Sequence, residues 1–111
     1  MSNKLLIAVG LFVASAPFAV SAQGAPEVKG NAEAAQDKIS MCIGCHQIPG
    51  YKTAFPSVYS VPMIVGQSAK YIEAALNEYR KGERSHPTMT AIAKGLSDQD
   101  IADLAAYYGS K

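Results

Sequence analysis

Apolar residues recur at helical spacing in two segments of the second half of the chain. The first segment, residues 68–82, ends at a glycine, as helices often do, and its apolar stripe consists of Ile72, Ala75, Leu76 and Tyr79. The second begins at Ser97, and its apolar stripe consists of Ile101, Leu104, Ala105 and Tyr108. Asp100 follows Ser97 at nearly the spacing of a capping box, which predicts where this helix starts. Both segments are predicted to be amphipathic helices.

Two further helices are predicted from shorter patterns. Residues 32–40 are predicted to form the third main helix, with Asn31 as its N-cap and Glu33 in the first turn, where the helix dipole favours a carboxylate. One or two helical turns are predicted for residues 88–94, ended by Gly95. No segment has a convincing strand pattern. The predicted fold class is therefore all-α, with three main helices and a short one.

Residues 47–62 are predicted to be a loop because they contain three prolines and a glycine. The same segment carries several aromatic and aliphatic side chains, among them Tyr51, Phe55 and Tyr59. Such side chains are expected to pack against an apolar surface, and filling the core is the default expectation for them.

The first 22 residues have the pattern of an export signal. Lys4 precedes an apolar run, and small residues at positions 20–22 form a cleavage pattern, so cleavage is predicted after Ala22. An uncleaved membrane anchor is the alternative, although the run is short for a span of about 20 apolar residues and contains Pro17. Residues 23–30 are predicted to be a mobile leader and residues 31–111 a single domain in the periplasm, with no stable membrane insertion after cleavage.

Removal of the signal leaves 89 of the 111 residues, which is small for a self-sufficient hydrophobic core. A covalent staple, a metal or a cofactor is therefore expected. Without Lys4, nine basic residues balance nine acidic ones. A neutral chain has no broad electrostatic reason to bind nucleic acid or a membrane surface, so neither is expected as a partner.

Both cysteines of the chain lie in one motif, Cys42-Ile43-Gly44-Cys45-His46. This C-x-x-C-H spacing is the signature of covalent haem c attachment. Two thiols on one short turn can each add to a vinyl group of the same porphyrin, and the imidazole that follows is then carried to the iron. The motif predicts one haem c, bound covalently by Cys42 and Cys45 and ligated through its iron by His46.

Three other interpretations of the motif are weaker. A zinc site would need Cys42, Cys45, His46 and His86 as ligands, but zinc sites usually combine such a cysteine pair with a second ligand pair. A redox-active dithiol would be expected in a βαβ context, which the pattern does not show. A disulfide would close so small a loop that it would stabilise the fold little.

The second axial ligand of the iron has four candidates in the sequence: Met41, Met63, Met89 and His86. Met41 adjoins Cys42 and so lies on the proximal side of the ring. Met63 follows a proline in a tight apolar stretch, where methionine more often packs. Met89 lies 43 residues beyond His46, after a complete helix, so the chain can wrap around to the other face of the ring. His/Met ligation is frequent in cytochromes c, so Met89 is favoured, with His86 as its competitor.

Residues 30–108 resemble bacterial class I c-type cytochromes, nearest to the cytochrome c4 and c553 type. The resemblance is carried by the cysteine motif with the stretch leading into it from Gly30, and by residues 62–67, 71–84 and 89–108. It implies a fold in which the N- and C-terminal helices cross beside the haem. It also implies that Met89 is the distal ligand and that the backbone carbonyl of Pro62 accepts a hydrogen bond from His46, which would orient the imidazole.

The sequence departs from this family pattern in two places. Ala35 stands where relatives often have glycine at the helix crossing, so a slightly wider contact is expected there. The loop at residues 48–61 is longer and more aromatic than in the simplest members. It is expected to fill the core; covering a haem edge and lining a docking face are the alternatives.

The resemblance and the ligands together predict a monomeric electron carrier in the periplasm, not an enzyme. Two strong protein ligands leave the iron no site for oxygen or peroxide, and no acid–base pair or nucleophile constellation is present. The expected partners are redox proteins, which the sequence does not identify. A subunit permanently bound to a dehydrogenase or oxidase is one alternative. A gas-binding cytochrome is another, but the early position of the motif argues against it.

Overall fold

The computed structural model describes residues 26–55 and 58–111, so the predicted export signal and its cleavage site lie outside the described residues. This part of the chain contains helices α1 (Ser40–His46), α2 (Ala69–Lys81), α3 (Pro87–Lys94) and α4 (Asp98–Gly109), with the short strands β1 (Lys52–Thr53) and β2 (Tyr59–Ser60) between α1 and α2. The predicted all-α class is confirmed, and the antiparallel strand pair is a small addition to it. None of the described helices is long and apolar enough to cross a membrane.

Helices α2, α3 and α4 begin and end close to the predicted residues. The hydroxyl of Ser68 accepts a hydrogen bond from the Tyr71 N–H at the start of α2, and Gly82 ends this helix in the left-handed conformation at φ +83°. At the start of α4, the Ser97 hydroxyl accepts from the Asp100 N–H, and the Asp100 carboxylate accepts from the Ser97 N–H. This is a complete capping box, as the sequence indicated.

The prediction of a first helix at residues 32–40 is wrong in its bounds. Residues 32–39 form consecutive turns, and the regular helix begins at Ser40 and contains the whole cysteine motif. Asn31 still acts as a local cap, because its side-chain oxygen accepts a hydrogen bond of 2.9 Å from the Glu33 N–H. The turns form where this segment is bound to α4, and such tertiary contacts outweigh a weak local helix preference.

Asp103 binds the N-terminal segment to α4, and only 1% of its surface is exposed. One carboxylate oxygen accepts hydrogen bonds from the Asn31 N–H (2.7 Å) and the Gln99 amide (2.8 Å), and the other accepts from Lys38 (2.9 Å). Lys38 also pairs with Asp100 at 2.6 Å. A buried carboxylate is tolerated when it is hydrogen-bonded and paired in this way, so these contacts fix the segment before α1 across α4.

The core lies where α2 and α4 pack together with the N-terminal segment, and its buried members are Ala35, Ile72, Leu96, Ile101, Leu104, Ala105 and Tyr108. Ala35 is fully buried. The position that leaves no room for a side chain is Gly30 and not Ala35, because a methyl group added at Gly30 would overlap the carbonyl oxygen of Ala102. The N-terminal segment therefore meets α4 at backbone distance just before residue 31. The predicted domain boundary falls at this point and stays a prediction.

Asp103→Asn is expected to lower the free energy of unfolding by about 2 kcal/mol, because charge-assisted hydrogen bonds are lost at a buried site. Urea unfolding followed by far-UV circular dichroism measures this. Asp98→Asn is the control: the Asp98 side chain is 72% exposed and pairs with Arg80, so its loss should cost less than about 1 kcal/mol. Equal effects of the two substitutions would contradict the assignment of Asp103 as the main contact.

The contribution of this cluster should disappear in acid. Its hydrogen bond to Lys38 lowers the pKa of Asp100 to about 2, and the Asn31 N–H is the main cause that lowers the pKa of Asp103. Carboxylates with depressed pKa values stabilise the fold above their ordinary pKa near about 4, and this stabilisation is lost as the pH falls through the lowered value. The difference in unfolding free energy between wild type and Asp103→Asn should therefore shrink between about pH 5 and pH 2.

Candidate functional site

Helix α1 places the three chemistry-bearing side chains of the motif on one face. Cys42 and Cys45 are three residues apart and Cys42 and His46 are four apart, and residues at these spacings are neighbours on a helix surface. All three side chains are partly buried, and both thiols are free. The residues between them, Ile43 and Gly44, are exposed. The helix therefore directs two thiols and one imidazole into the same space.

The imidazole of His46 is oriented by the backbone carbonyl oxygen of Pro62, which lies 2.7 Å from Nδ1. A carbonyl oxygen only accepts hydrogen bonds, so Nδ1 carries the hydrogen and donates it. The lone pair of the ring then resides on Nε2, the nitrogen available to a metal ion. The structure thus has the hydrogen bond between His46 and Pro62 that the family resemblance implied.

The face formed by Cys42, Cys45 and His46 borders a cavity of about 360 Å³. Most of its walls are apolar and come from the segment after β2, from the apolar stripe of α2, and from α3 and α4. The lining side chains of these elements and of the connection between α3 and α4 include Val61, Pro62, Met63, Ile64, Ile72, Ala75, Leu76, Tyr79, Met89, Ile92, Leu96, Leu104 and Tyr108. This combination of apolar walls and a few convergent polar groups is typical of a cofactor site.

All four candidates for the second axial ligand border this cavity. Met41 and Met63 are about half exposed, at 49% and 48%, whereas Met89 is more buried. His86 has its Nδ1 3.4 Å from the Met89 N–H, from which it accepts a hydrogen bond as the N-cap of α3. Because Nδ1 accepts, Nε2 of this neutral ring carries the hydrogen and has no lone pair for a metal, which favours Met89 over His86 as the ligand.

The hydroxyl of Tyr108 reaches the cavity beside the sulfur of Cys42. Tyr108 is 1% exposed, and its hydroxyl makes no well-formed hydrogen bond to any described residue. Burial raises the pKa of the Cys42 thiol, and it also raises the pKa of Tyr108, to which the neighbouring Cys42 contributes. Both groups are therefore neutral near pH 7. The sequence predicted Tyr108 as part of the apolar stripe of α4. No sequence pattern indicated that its hydroxyl group lies beside Cys42.

Arg84 forms a polar corner of the same cavity. Its Nε donates to a Glu78 carboxylate oxygen at 2.6 Å, and its Nη1 donates to the Tyr71 hydroxyl at 3.3 Å. The guanidinium also lies over the rings of Tyr71 and Tyr79, at 5.4 and 5.7 Å from their centres. Glu78 compensates the charge, so Arg84 borders the cavity as part of an ion pair with aromatic contacts.

The expectation that the loop at residues 48–61 fills the core is wrong for its most apolar described members. Phe55 is 87% exposed and Val58 is 78% exposed. Pairing of β1 with β2 carries the connection between them away from the core, whereas Thr53, Tyr59 and Val61 border the cavity. Which of these side chains are exposed and which border the cavity depends on the pairing of β1 with β2. The sequence did not predict this pairing, because apolar residues occur throughout the segment.

The donor set fits a haem better than a metal ion alone. Among residues 26–55 and 58–111, no three His, Cys, Asp or Glu side chains come close enough to hold a metal ion together, which argues against the zinc interpretation. The site has the groups that a haem would need. Two free thiols could bond to its vinyl groups, the imidazole of His46 has Nε2 available for the iron, a methionine sulfur could be the second ligand, and apolar walls would surround the ring.

Comparison with known proteins agrees with the interpretation of the site as a haem site. The cytochrome c family matches residues 28–110. Cytochrome c-554(548) of Halomonas halodenitrificans is 46% identical over 74% of this chain and 98% of that protein. The cytochrome subunit of sulfide dehydrogenase of Chlorobaculum tepidum is 34% identical over 96% of this chain and 94% of that protein. Cytochrome c4 of Pseudomonas aeruginosa is 32% identical over 98% of this chain, which spans only 49% of that protein.

Proposed function

The chain belongs to the cytochrome c family, and we propose that it is a monohaem one-electron carrier that works in the periplasm between redox enzymes. In this proposal Cys42 and Cys45 form thioether bonds to one haem c, and His46 and Met89 bind its iron. The observation that carries the proposal is that these four side chains border one largely apolar cavity. The export pattern of residues 1–22 supports the location.

The haem supplies a one-electron couple, and the protein determines how readily the iron changes its oxidation state. The hydrogen bond from His46 to Pro62 holds the imidazole in one tautomer and would increase the basicity of Nε2, the nitrogen that would bind the iron. A methionine sulfur favours ferrous iron and raises the reduction potential relative to a second histidine. The apolar walls exclude water, so charge on the iron is poorly solvated there. These groups support electron transfer with little rearrangement.

The proposed pair of axial ligands, His46 and Met89, also favours a carrier over an enzyme. When both axial positions are taken by side chains of the chain, oxygen and peroxide have no position at which to bind the iron. We therefore propose that the chain catalyses no reaction of its own, and that a gas-binding role would require Met89 to dissociate.

A permanently bound subunit of a larger redox complex is the second candidate. Its support is the similarity to the sulfide dehydrogenase cytochrome subunit, which extends over nearly the whole of both chains. Gel filtration of a native extract in high salt separates the two possibilities. A carrier should elute as a monomer of about the mass of one chain, whereas elution together with a second protein at high salt would favour the subunit.

Covalent attachment is tested by removing the thiols one at a time. Cys42→Ser and Cys45→Ser should each retain one thioether bond, so the pyridine haemochrome spectrum should shift towards that of a haem with a free vinyl group. Acid acetone should extract haem from the double variant and from neither single variant. Haem that acid acetone extracts from the wild type would contradict covalent attachment.

The distal ligand is tested by comparing two methionines that border the same cavity. Met89→Ala should abolish the weak sulfur-to-iron charge-transfer absorption of the oxidised protein and lower its reduction potential, because the thioether no longer favours ferrous iron. Met63→Ala is the matched control and should retain the band. Loss of the band in Met63→Ala but not in Met89→Ala would assign the ligand to Met63.

A further inference from the structure

We propose that Tyr59 and His86 form a brace that holds Met89 in position, so that the loop carrying Tyr59 determines how firmly the iron keeps its methionine. The inference rests on the proposed function, because it assumes that Met89 is an iron ligand. It assigns a positioning role to two residues that neither bind the iron nor attach the haem.

His86 supports Met89 directly through the backbone. As the N-cap of α3, His86 has an extended backbone, and its Nδ1 accepts the Met89 N–H at 3.4 Å. Serine, threonine, aspartate and asparagine are the usual N-cap residues, and their side chains end at the helix start. An imidazole has a further edge beyond the capping nitrogen. This cap can therefore contact a second element while it holds the first turn of α3.

That second element is β2. The rings of Tyr59 and His86 are 4.7 Å apart between centres, with an angle of 76° between their planes. This edge-to-face arrangement is a favoured geometry for aromatic pairs and contributes beyond the area that is buried. Both side chains border the cavity. Tyr59 therefore restrains the orientation of the His86 ring, which accepts the hydrogen bond from the Met89 N–H.

Tyr59 is held in turn by a short strand pair. It is the partner of Thr53 in the register of β1 and β2, and the Thr53 hydroxyl is 3.5 Å from the Tyr59 carbonyl oxygen. The connection between the strands is exposed at Phe55 and Val58. A short pair with exposed backbone is a region of low local stability, so the restraint on Met89 can loosen without unfolding of the helices.

The brace predicts how easily an external ligand displaces Met89. Imidazole is the probe, titrated into the oxidised holoprotein and followed by loss of the sulfur-to-iron charge-transfer band. Tyr59→Leu and His86→Ala should each increase imidazole affinity about fivefold, the factor that corresponds to about 1 kcal/mol, which is the size of one aromatic contact or one N-cap contact. The far-UV circular dichroism midpoint of unfolding should remain that of the wild type in Tyr59→Leu, whereas it should fall in His86→Ala, which loses the cap of α3.

Three matched variants separate the brace from general loosening. Tyr59→Phe keeps the ring contact and should bind imidazole as the wild type does. Phe55→Leu changes an exposed side chain of the same loop and should also have no effect. His86→Asn restores a good N-cap without the ring, so adding Tyr59→Leu to it should change imidazole affinity no further.

Two results would overturn the brace: wild-type imidazole affinity in Tyr59→Leu, or independent effects of Tyr59→Leu in the wild-type and His86→Asn backgrounds. A fall in the unfolding midpoint of Tyr59→Leu that accounts for its gain in affinity would overturn it as well. Failure of the underlying proposal is distinguishable, because a wild-type protein without the charge-transfer band would show that methionine does not bind the iron at all.

Discussion

The position of the haem-binding motif depends on one buried carboxylate. Asp103 holds the backbone of Asn31 and the side chain of Lys38 against α4, and the chain between these contacts and the motif has little freedom to shift. Helix α1 begins at Ser40, immediately after this clamp. None of the seven residues of α1 is fully buried, and Cys42 is the member of α1 that packs against the core. The direction in which Cys42, Cys45 and His46 point is therefore set by α4.

A small core explains why the cavity takes so much of the apolar surface. In the part of the chain that the structure describes, the buried hydrophobic residues are few, and four of them are alanines: Ala35, Ala93, Ala102 and Ala105. A domain of this size buries a smaller share of its surface than a large one, and alanine adds little to that burial. On α2, Ile72 is buried in the core and also borders the cavity, and the half-buried Leu76 and Tyr79 border the same cavity. A covalently held porphyrin in this space would complete the core.

The sequence predicts local features of this fold well, and it fails where distant residues decide the outcome. The caps of α2 and α4 depend on residues within one turn, such as Ser68 and the pair Ser97 and Asp100, so they could be read from the chain. The turns at residues 32–39 could not, because they depend on contacts to Asp103, about 70 residues away.

The same division holds at the site. Cys42, Cys45 and His46 are adjacent in the chain, so their spacing alone predicts what they bind. The role of Pro62 came from family resemblance, since no local rule connects a proline carbonyl to a histidine 16 residues away. The places of Tyr59 and Tyr108 at the cavity depend on strand register and helix rotation. Neither can be derived from hydrophobic periodicity alone, which does not specify what a side chain's polar end will meet.

The two proposed iron ligands are supported in different ways, and this has a consequence for the protein. His46 lies on a helix that follows the segment bound to α4, Pro62 fixes its orientation, and in the proposed site two thioether bonds would tie the same helix to the haem. Met89 belongs to an eight-residue helix whose first turn is capped by His86. The ring of His86 contacts Tyr59 in the loop that contains the strand pair. Motion of Tyr59 therefore changes the support of Met89, whereas His46 depends on Pro62, which follows β2 by two residues. A methionine sulfur raises the potential relative to a second histidine, so in the proposed site a change at Tyr59 would alter the redox behaviour while Cys42 and Cys45 kept the haem attached.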